Sequence, residues 1–223
     1  MSEGRDKLLY PMRLYREIED GEQFVIFADP AEVKDYCAAV ALSKKRFDFP
    51  LIFNEVIDSA QFGYELNNMA KYIYNKTQMY PKIAVERNTG QATIAVLKML
   101  NYSNLFRMPD FTGATNAEHG GIGWLTTGFL QGGELQGTRR KMLDDFALVL
   151  NQEMVTLYDE QQIKQMKAFV INKGRAQAKG SSHDDLVMAT TGAWQIHLAT
   201  PIEFLDDVDP ETIRRQHDKW RFK

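Results

Sequence analysis

Four carboxylates in this sequence stand where a chain can hold them rigidly. Asp29 closes the apolar run Phe24-Val25-Ile26-Phe27-Ala28, and Glu86 closes Lys82-Ile83-Ala84-Val85. Asp184 and Asp185 follow Ser181-Ser182-His183 and open an apolar stretch from Leu186 to Leu198. Each has an everyday role on its own. Asp29 before Pro30 starts an Asx-type turn, and Glu86 borders an Asn-Thr-Gly turn. Ser182, His183 or Asp184 can cap a helix whose first N–H groups lack partners and whose dipole favours acids. Together they allow more. If the strands carrying Asp29 and Glu86 are neighbours and the last helix packs against them, the carboxylates converge, and such a cluster repels itself unless cations occupy it. Hard oxygen ligands without cysteine or clustered histidine select Mg²⁺ or Mn²⁺ over zinc. Two such ions, about 4 Å apart, suit phosphodiester hydrolysis, one activating water and the other stabilising the leaving oxygen.

The elements that must place these acids are legible in the patterning. Phe24–Ala28, Tyr36–Leu42 and Leu51–Ile57 read as buried strands with short connections, which implies an antiparallel meander. Ala60–Thr77 carries apolar residues at helical spacing, Lys82–Val85 is a short strand, and Gln91–Leu100 is a second helix. A meander followed by strand and helix predicts a mixed sheet with helices on its faces. Residues 101–137 are irregular and glycine-rich, as functional or mobile loops often are. Thr138–Leu150 and Asp159–Lys167 read as helices and Phe169–Ile171 as a short strand. Asn172–Gly180 reads as a flexible basic loop. Residues 1–22 form a lead-in, a helix or packing strap, and 201–223 an acidic then basic tail, which leaves residues 23–200 as the core of a single domain.

The 223 residues suffice for a substantial core, and no run approaches the roughly 20 apolar residues of a membrane span. The N-terminus lacks an apolar signal core, so export is not expected. A single cysteine, Cys37, rules out an intrachain disulfide framework and fits a reducing compartment. Four scattered histidines and no paired cysteines argue against structural zinc. With a net charge of -3, any contact with nucleic acid must come from local basic patches.

Three motifs carry a family resemblance: Phe27-Ala28-Asp29-Pro30-Ala31 followed by Asp35-Tyr36, then Ala84-Val85-Glu86-Arg87-Asn88-Thr89-Gly90, and His183-Asp184-Asp185-Leu186-Val187-Met188-Ala189. In this order, with Gly123-Trp124-Leu125-Thr126-Thr127 before Thr138-Arg139-Arg140-Lys141, the chain resembles the nuclease domain of a tailed-phage terminase large subunit. The match spans roughly residues 24–199. The resemblance implies a ribonuclease H-like α/β fold, a meander plus parallel strands flanked by helices. It implies a metal-dependent endonuclease that cuts concatemeric double-stranded viral DNA during genome packaging in the cytoplasm of the bacterial host. Its expected partners are DNA, an ATPase motor domain, the terminase small subunit and the portal protein, with no membrane. Carried onto matching positions, Asp29, Glu86 and Asp185 are the catalytic metal ligands for two Mg²⁺ or Mn²⁺ ions. Asp35 matches an auxiliary acid, Asp184 is a further candidate ligand, and His183 and Asn88 stand behind the ligands. Two departures matter. Glu32-Val33-Lys34 stands where relatives commonly have a glycine-containing turn, and Met188 stands where many have an acid.

DNA contact requires positive charge, because phosphate neutralisation supplies most non-specific affinity. Lys173, Arg175 and Lys179 run into the Asp184-Asp185 motif with no intervening acid, and Arg139, Arg140 and Lys141 form a second basic group. No G-x-x-x-x-G-K-[ST] loop occurs, so the chain is expected to be an excised domain or a separate gene product that lacks the motor. Two rival readings are a resolvase-type nuclease of the same fold acting on branched DNA, and a non-catalytic DNA-binding or docking module.

Overall fold

The computed structural model describes residues 11–31, 35–108, 121–131, 134–172, 175–178 and 184–200. At its centre is a five-stranded mixed sheet built from β1 (Arg13–Leu14), β2 (Phe24–Asp29), β3 (Cys37–Ser43), β4 (Leu51–Glu55) and β5 (Lys82–Val85). The strand order is β1-β4-β3-β2-β5. Strands β2, β3 and β4 form the antiparallel meander that their short connections imply, with Asp29 opposite Ala38 and Ala38 opposite Asn54. β5 lies parallel to β2, from Val25 beside Lys82 to Ala28 beside Val85. A parallel neighbour needs a long crossover, which helix α1 (Ser59–Thr77) supplies. The Asp58 carboxylate starts that helix by accepting from the N–H groups of Ala60 and Gln61.

Alternation along the strands divides the core in two. Val25, Phe27, Val40, Ile52 and Ala84 face one side, where they meet helix α5 (Asp185–Ala199) and α3 (Thr138–Asn151). Ile26, Ala28, Ala39, Phe53, Ile83 and Val85 face the other, against α1 and α2 (Gln91–Met99). Helix α5 lies over β2 and β3. Its contact with β2 is close because Gly192 has no side chain: a Cβ there would stand 2.5 Å from the Phe27 ring. The sheet is thus covered on both faces, in a ribonuclease H-like α/β arrangement.

Two stretches differ from the sequence expectation, and the described part of the lead-in is the strap rather than the helix that its patterning allowed. β1 pairs antiparallel with β4, and Arg16 binds Asp48 and the buried Glu22 at 2.6–2.9 Å. The glycine-rich stretch contains a hairpin, β6 (Phe129–Gln131) with β7 (Glu134–Gln136). The basic segment expected to be a loop forms a second hairpin, β8 (Phe169–Asn172) with β9 (Arg175–Ala178). The remaining helix, α4 (Glu160–Ala168), precedes β8 as expected. Among the described residues no helix is long and apolar enough to cross a membrane.

Candidate metal centre

The parallel register of β2 and β5 places Asp29 and Glu86 side by side. Ala28 pairs with Val85, and the next N–H along, that of Glu86, donates to the Ala28 carbonyl at 2.8 Å. Asp29 continues the alternation of Val25 and Phe27, and Glu86 that of Ala84, so both belong to the α5 face. Helix α5 begins over this end of the sheet with Asp185. Three acids from three distant parts of the sequence are therefore brought to the same end of the sheet, near enough for their charges to be felt at Asp29.

Their charges are felt mutually. Burial holds the Asp29 carboxyl well above the usual carboxylate range, and Glu86, Asp185 and Asp184 push it further, with Arg139 opposing. Burial also raises the Cys37 thiol at the start of β3, and the negative charges of Asp29 and Asp185 add to that. Glu86 is 5% exposed, and its carboxylate is fixed by the turn that follows. Its Oε2 accepts from the Asn88 N–H at 2.8 Å and from the Thr89 N–H at 3.3 Å. The Thr89 hydroxyl donates to the Pro30 carbonyl at 2.6 Å and ties this turn to the end of β2. Gly90 is required here, because a Cβ would stand 2.1 Å from the Glu86 carbonyl oxygen.

The two adjacent aspartates have different surroundings. Asp184 stands at the N-cap position of α5, but its side chain makes no cap hydrogen bond. Its Oδ2 instead accepts from Nη2 of Arg139 at 2.6 Å. Gln165 of α4 serves the helix start, its Oε1 accepting from the Leu186 N–H at 2.9 Å. Asp185 lies in the first turn of the helix, where the dipole favours its charge.

Arg139 is itself held firmly. The Arg139 N–H donates to the Thr127 carbonyl at 3.0 Å. Thr127 and Thr138 exchange backbone and hydroxyl hydrogen bonds at 2.8 and 3.1 Å. Gly137 takes φ +92°, and a Cβ on it would meet the Thr127 carbonyl. The same segment is joined to the Glu86 turn, because the Asn88 side chain donates to the Thr126 carbonyl at 2.8 Å.

The other candidate positions are distributed as follows. Asp35 is exposed ahead of β3, with Oδ1 accepting from the Tyr36 N–H. Arg140 and Lys141 pair along α3 with Asp144 and Asp145. Arg175 opens β9. Lys173, Lys179 and His183, and the Glu32-Val33-Lys34 turn, lie outside the described residues. The sequence alone did not single out Gln165, the Thr127–Thr138 latch or Asn54, a buried amide in the same row as Asp29. The last could have been suspected from a lone amide among the apolar residues of Leu51–Phe53.

This donor set is of a kind that a hard divalent cation requires: carboxylate oxygens alone, on the ends of rigid elements, in mutual repulsion. Among the described residues no three His, Cys, Asp or Glu side chains are gathered closely enough to hold an ion as they stand. Ligation would therefore have to draw the carboxylates inward.

Comparison with solved structures identifies the architecture. The large terminase nuclease from thermophilic phage G20c is similar over 82% of this chain and 91% of that one, with a TM-score of 0.59 and 15% sequence identity. The fold is that of a phage large-terminase nuclease. The Thermus phage P74-26 large terminase nuclease domain gives a TM-score of 0.56 at 15% identity, covering 82% of this chain and 84% of that one. The G20c nuclease with bound magnesium gives 0.56 at 14% identity, covering 82% and 90%. The same terminase nuclease is also known with bound cobalt and with bound zinc. No protein-family model and no curated protein matches the sequence.

Proposed function

We propose that this chain is a metal-dependent DNA endonuclease that cuts double-stranded viral DNA during genome packaging by two-metal-ion phosphodiester hydrolysis. The observation that carries the reading is that Asp29, Glu86 and Asp185 lie at the same end of one sheet, with Glu86 and Asp185 raising the cost of charge at Asp29. The fold's solved neighbours, phage terminase nucleases, include forms with bound magnesium and cobalt. Asp29, Glu86 and Asp185 would hold the ions, which supply an activated water and charge stabilisation at the leaving oxygen. The chain's own residues do the placing. The Asn88 and Thr89 N–H groups orient Glu86, Gln165 frees the start of α5 from capping by its acids, and Arg139 keeps Asp184 paired. Asp35 and His183 remain candidates for auxiliary roles.

Arg139, Arg140 and Lys141 on α3, with Lys173, Arg175 and Lys179, are proposed to contact the DNA backbone. The intrahelical pairs of Arg140 and Lys141 are solvent-exposed and cost little to open. We read residues 1–223 as one nuclease domain that works beside an ATPase motor, with the small subunit and portal as partners, in the host cytoplasm. The test is plasmid cleavage with Mg²⁺ or Mn²⁺. Cleavage is expected with the metal, and Glu86→Ala and Asp185→Ala are each expected to abolish it. Cleavage that survives both substitutions would overturn the ligand assignment.

A further inference from the structure

Across the acid-bearing end of the sheet the register defines a row. Asn54 of β4 lies opposite Ala38 of β3, and Ala38 lies opposite Asp29 of β2, with Glu86 next beyond. All four belong to the α5 face, because the alternation runs through Ile52, Val40, Phe27 and Ala84, which pack in that half of the core. Asn54 is 3% exposed, and neither its Nδ2 nor its Oδ1 has a hydrogen-bond partner. An amide buried with both ends unsatisfied is costly, and it calls for a buried water or ion. Its neighbours Leu51, Ile52 and Phe53 are apolar, as a strand covered on both faces prefers.

Only the methyl group of Ala38 stands between Asn54 and Asp29 in this row. Strands two apart are separated by roughly 9–10 Å. Because the Asn54 amide has no hydrogen-bond partner, it and the Asp29 carboxylate do not meet directly, and a link between them takes a bridging water. Helix α5 rests on β2 and β3 and starts with Asp185.

We propose that Asn54 is a positioning residue of the metal centre, its Nδ2–H donating to a buried water that in turn donates to the Asp29 and Asp185 carboxylates. The role rests on the metal-dependent reading above. Hydrogen bonds behind metal ligands hold a carboxylate in its binding orientation, and their loss weakens binding without touching the ion.

The test measures Mn²⁺ binding to the full chain by calorimetry, with manganese chloride as the only added ligand. Asn54→Leu keeps a similar volume and removes the amide. It is expected to fold with an unchanged or raised Tm in EDTA, and to bind Mn²⁺ roughly tenfold more weakly. Asn54→Ser, whose hydroxyl can hold the water, is expected to stay within about threefold of wild type. Equal Mn²⁺ affinity in Asn54→Leu and wild type overturns the role while leaving the metal reading intact. Failure of the wild-type protein to bind Mn²⁺ overturns both. If the leucine variant does not fold, the Asn54 side-chain NH₂ resonances of the wild type decide, assigned by their absence from the serine variant. A shift on titration with Mg²⁺ supports the role, and static resonances overturn it.

Discussion

Of the neighbouring acids Asp184 and Asp185, the first is held by Arg139. Of three consecutive basic residues in the first turn of α3, Arg140 and Lys141 are matched one turn along their own helix. Arg139 reaches instead to Asp184, 45 residues away in the sequence. A cation in a first helical turn opposes the macrodipole, so helix stability does not explain Arg139. Its charge is balanced by the acidic cluster, and it is the cation that opposes the rise at Asp29. Under the proposed metal reading, this arrangement pairs Asp184 with Arg139 and assigns the ion to Asp185. Arg139→Gln removes the resident cation and releases Asp184, so Mn²⁺ should bind roughly threefold to tenfold more tightly. Asp184→Asn in the same background should cancel the gain. Calorimetry on the two variants checks this, and an unchanged affinity in Arg139→Gln would show that Arg139 has no influence on the ions. The sequence displays Arg139 only as part of a basic triplet, and its partner becomes visible once α3 and α5 are placed together.

At the scale of elements, the sequence carried the pieces marked by an apolar run or a helical stripe and missed β1, β6, β7 and β9. β2–β5 and α1–α5 fall within a few residues of their expected bounds, because each has an apolar run or a helical stripe to mark it. β1 has two residues, too few to show a period. The strand Arg175-Ala176-Gln177-Ala178 has no β-branched or aromatic residue, and its pairing with Phe169–Asn172 exceeds what its own composition suggests. The hairpin at Phe129–Gln136 was hidden by the glycines around it. The row of Asn54, Ala38 and Asp29 was equally hidden, because register is a property of paired strands and not of any one of them. The element on which the site most depends is α5, whose closeness to β2 is set by Gly192. In Gly192→Ala the new methyl group would stand 2.5 Å from the fully buried Phe27 ring, and the helix must lift. Overpacking of this kind costs about 1–3 kcal/mol. Urea denaturation should report that loss, and Mn²⁺ affinity should fall with it because Asp185 moves with the helix. A variant as stable as wild type would mean that the β2–α5 contact is soft.

For the molecule as a whole, gathering acids at one sheet end ties folding stability to pH and, under the proposed metal reading, to the ion. Asp29 has its folded-state carboxyl well above the ordinary 3.8, from burial first and then from Glu86, Asp185 and Asp184. The folded protein therefore holds a proton that the unfolded chain releases, and this contribution stabilises the fold at acid pH. It is lost as pH rises from about 4 through the raised value. Under the proposed metal reading, a divalent ion would reverse the sign, because it would bind the deprotonated carboxylates of the native state and gain affinity as pH rises. At a free concentration 100-fold above its Kd, an ion that binds only the native state adds about 2.7 kcal/mol. For a chain of this size that corresponds to a rise in Tm of roughly 5–10 °C. Thermal unfolding in EDTA and in Mg²⁺ should therefore give curves of Tm against pH that diverge above about pH 4. Asp29→Asn holds no titrating proton at this position. It should flatten the fall of the EDTA curve and remove most of the gain from Mg²⁺. Parallel EDTA and Mg²⁺ curves in the wild type would separate the acidic end of the sheet from metal binding, whereas a diverging pair that Asp29→Asn leaves unchanged would place the ions on other residues.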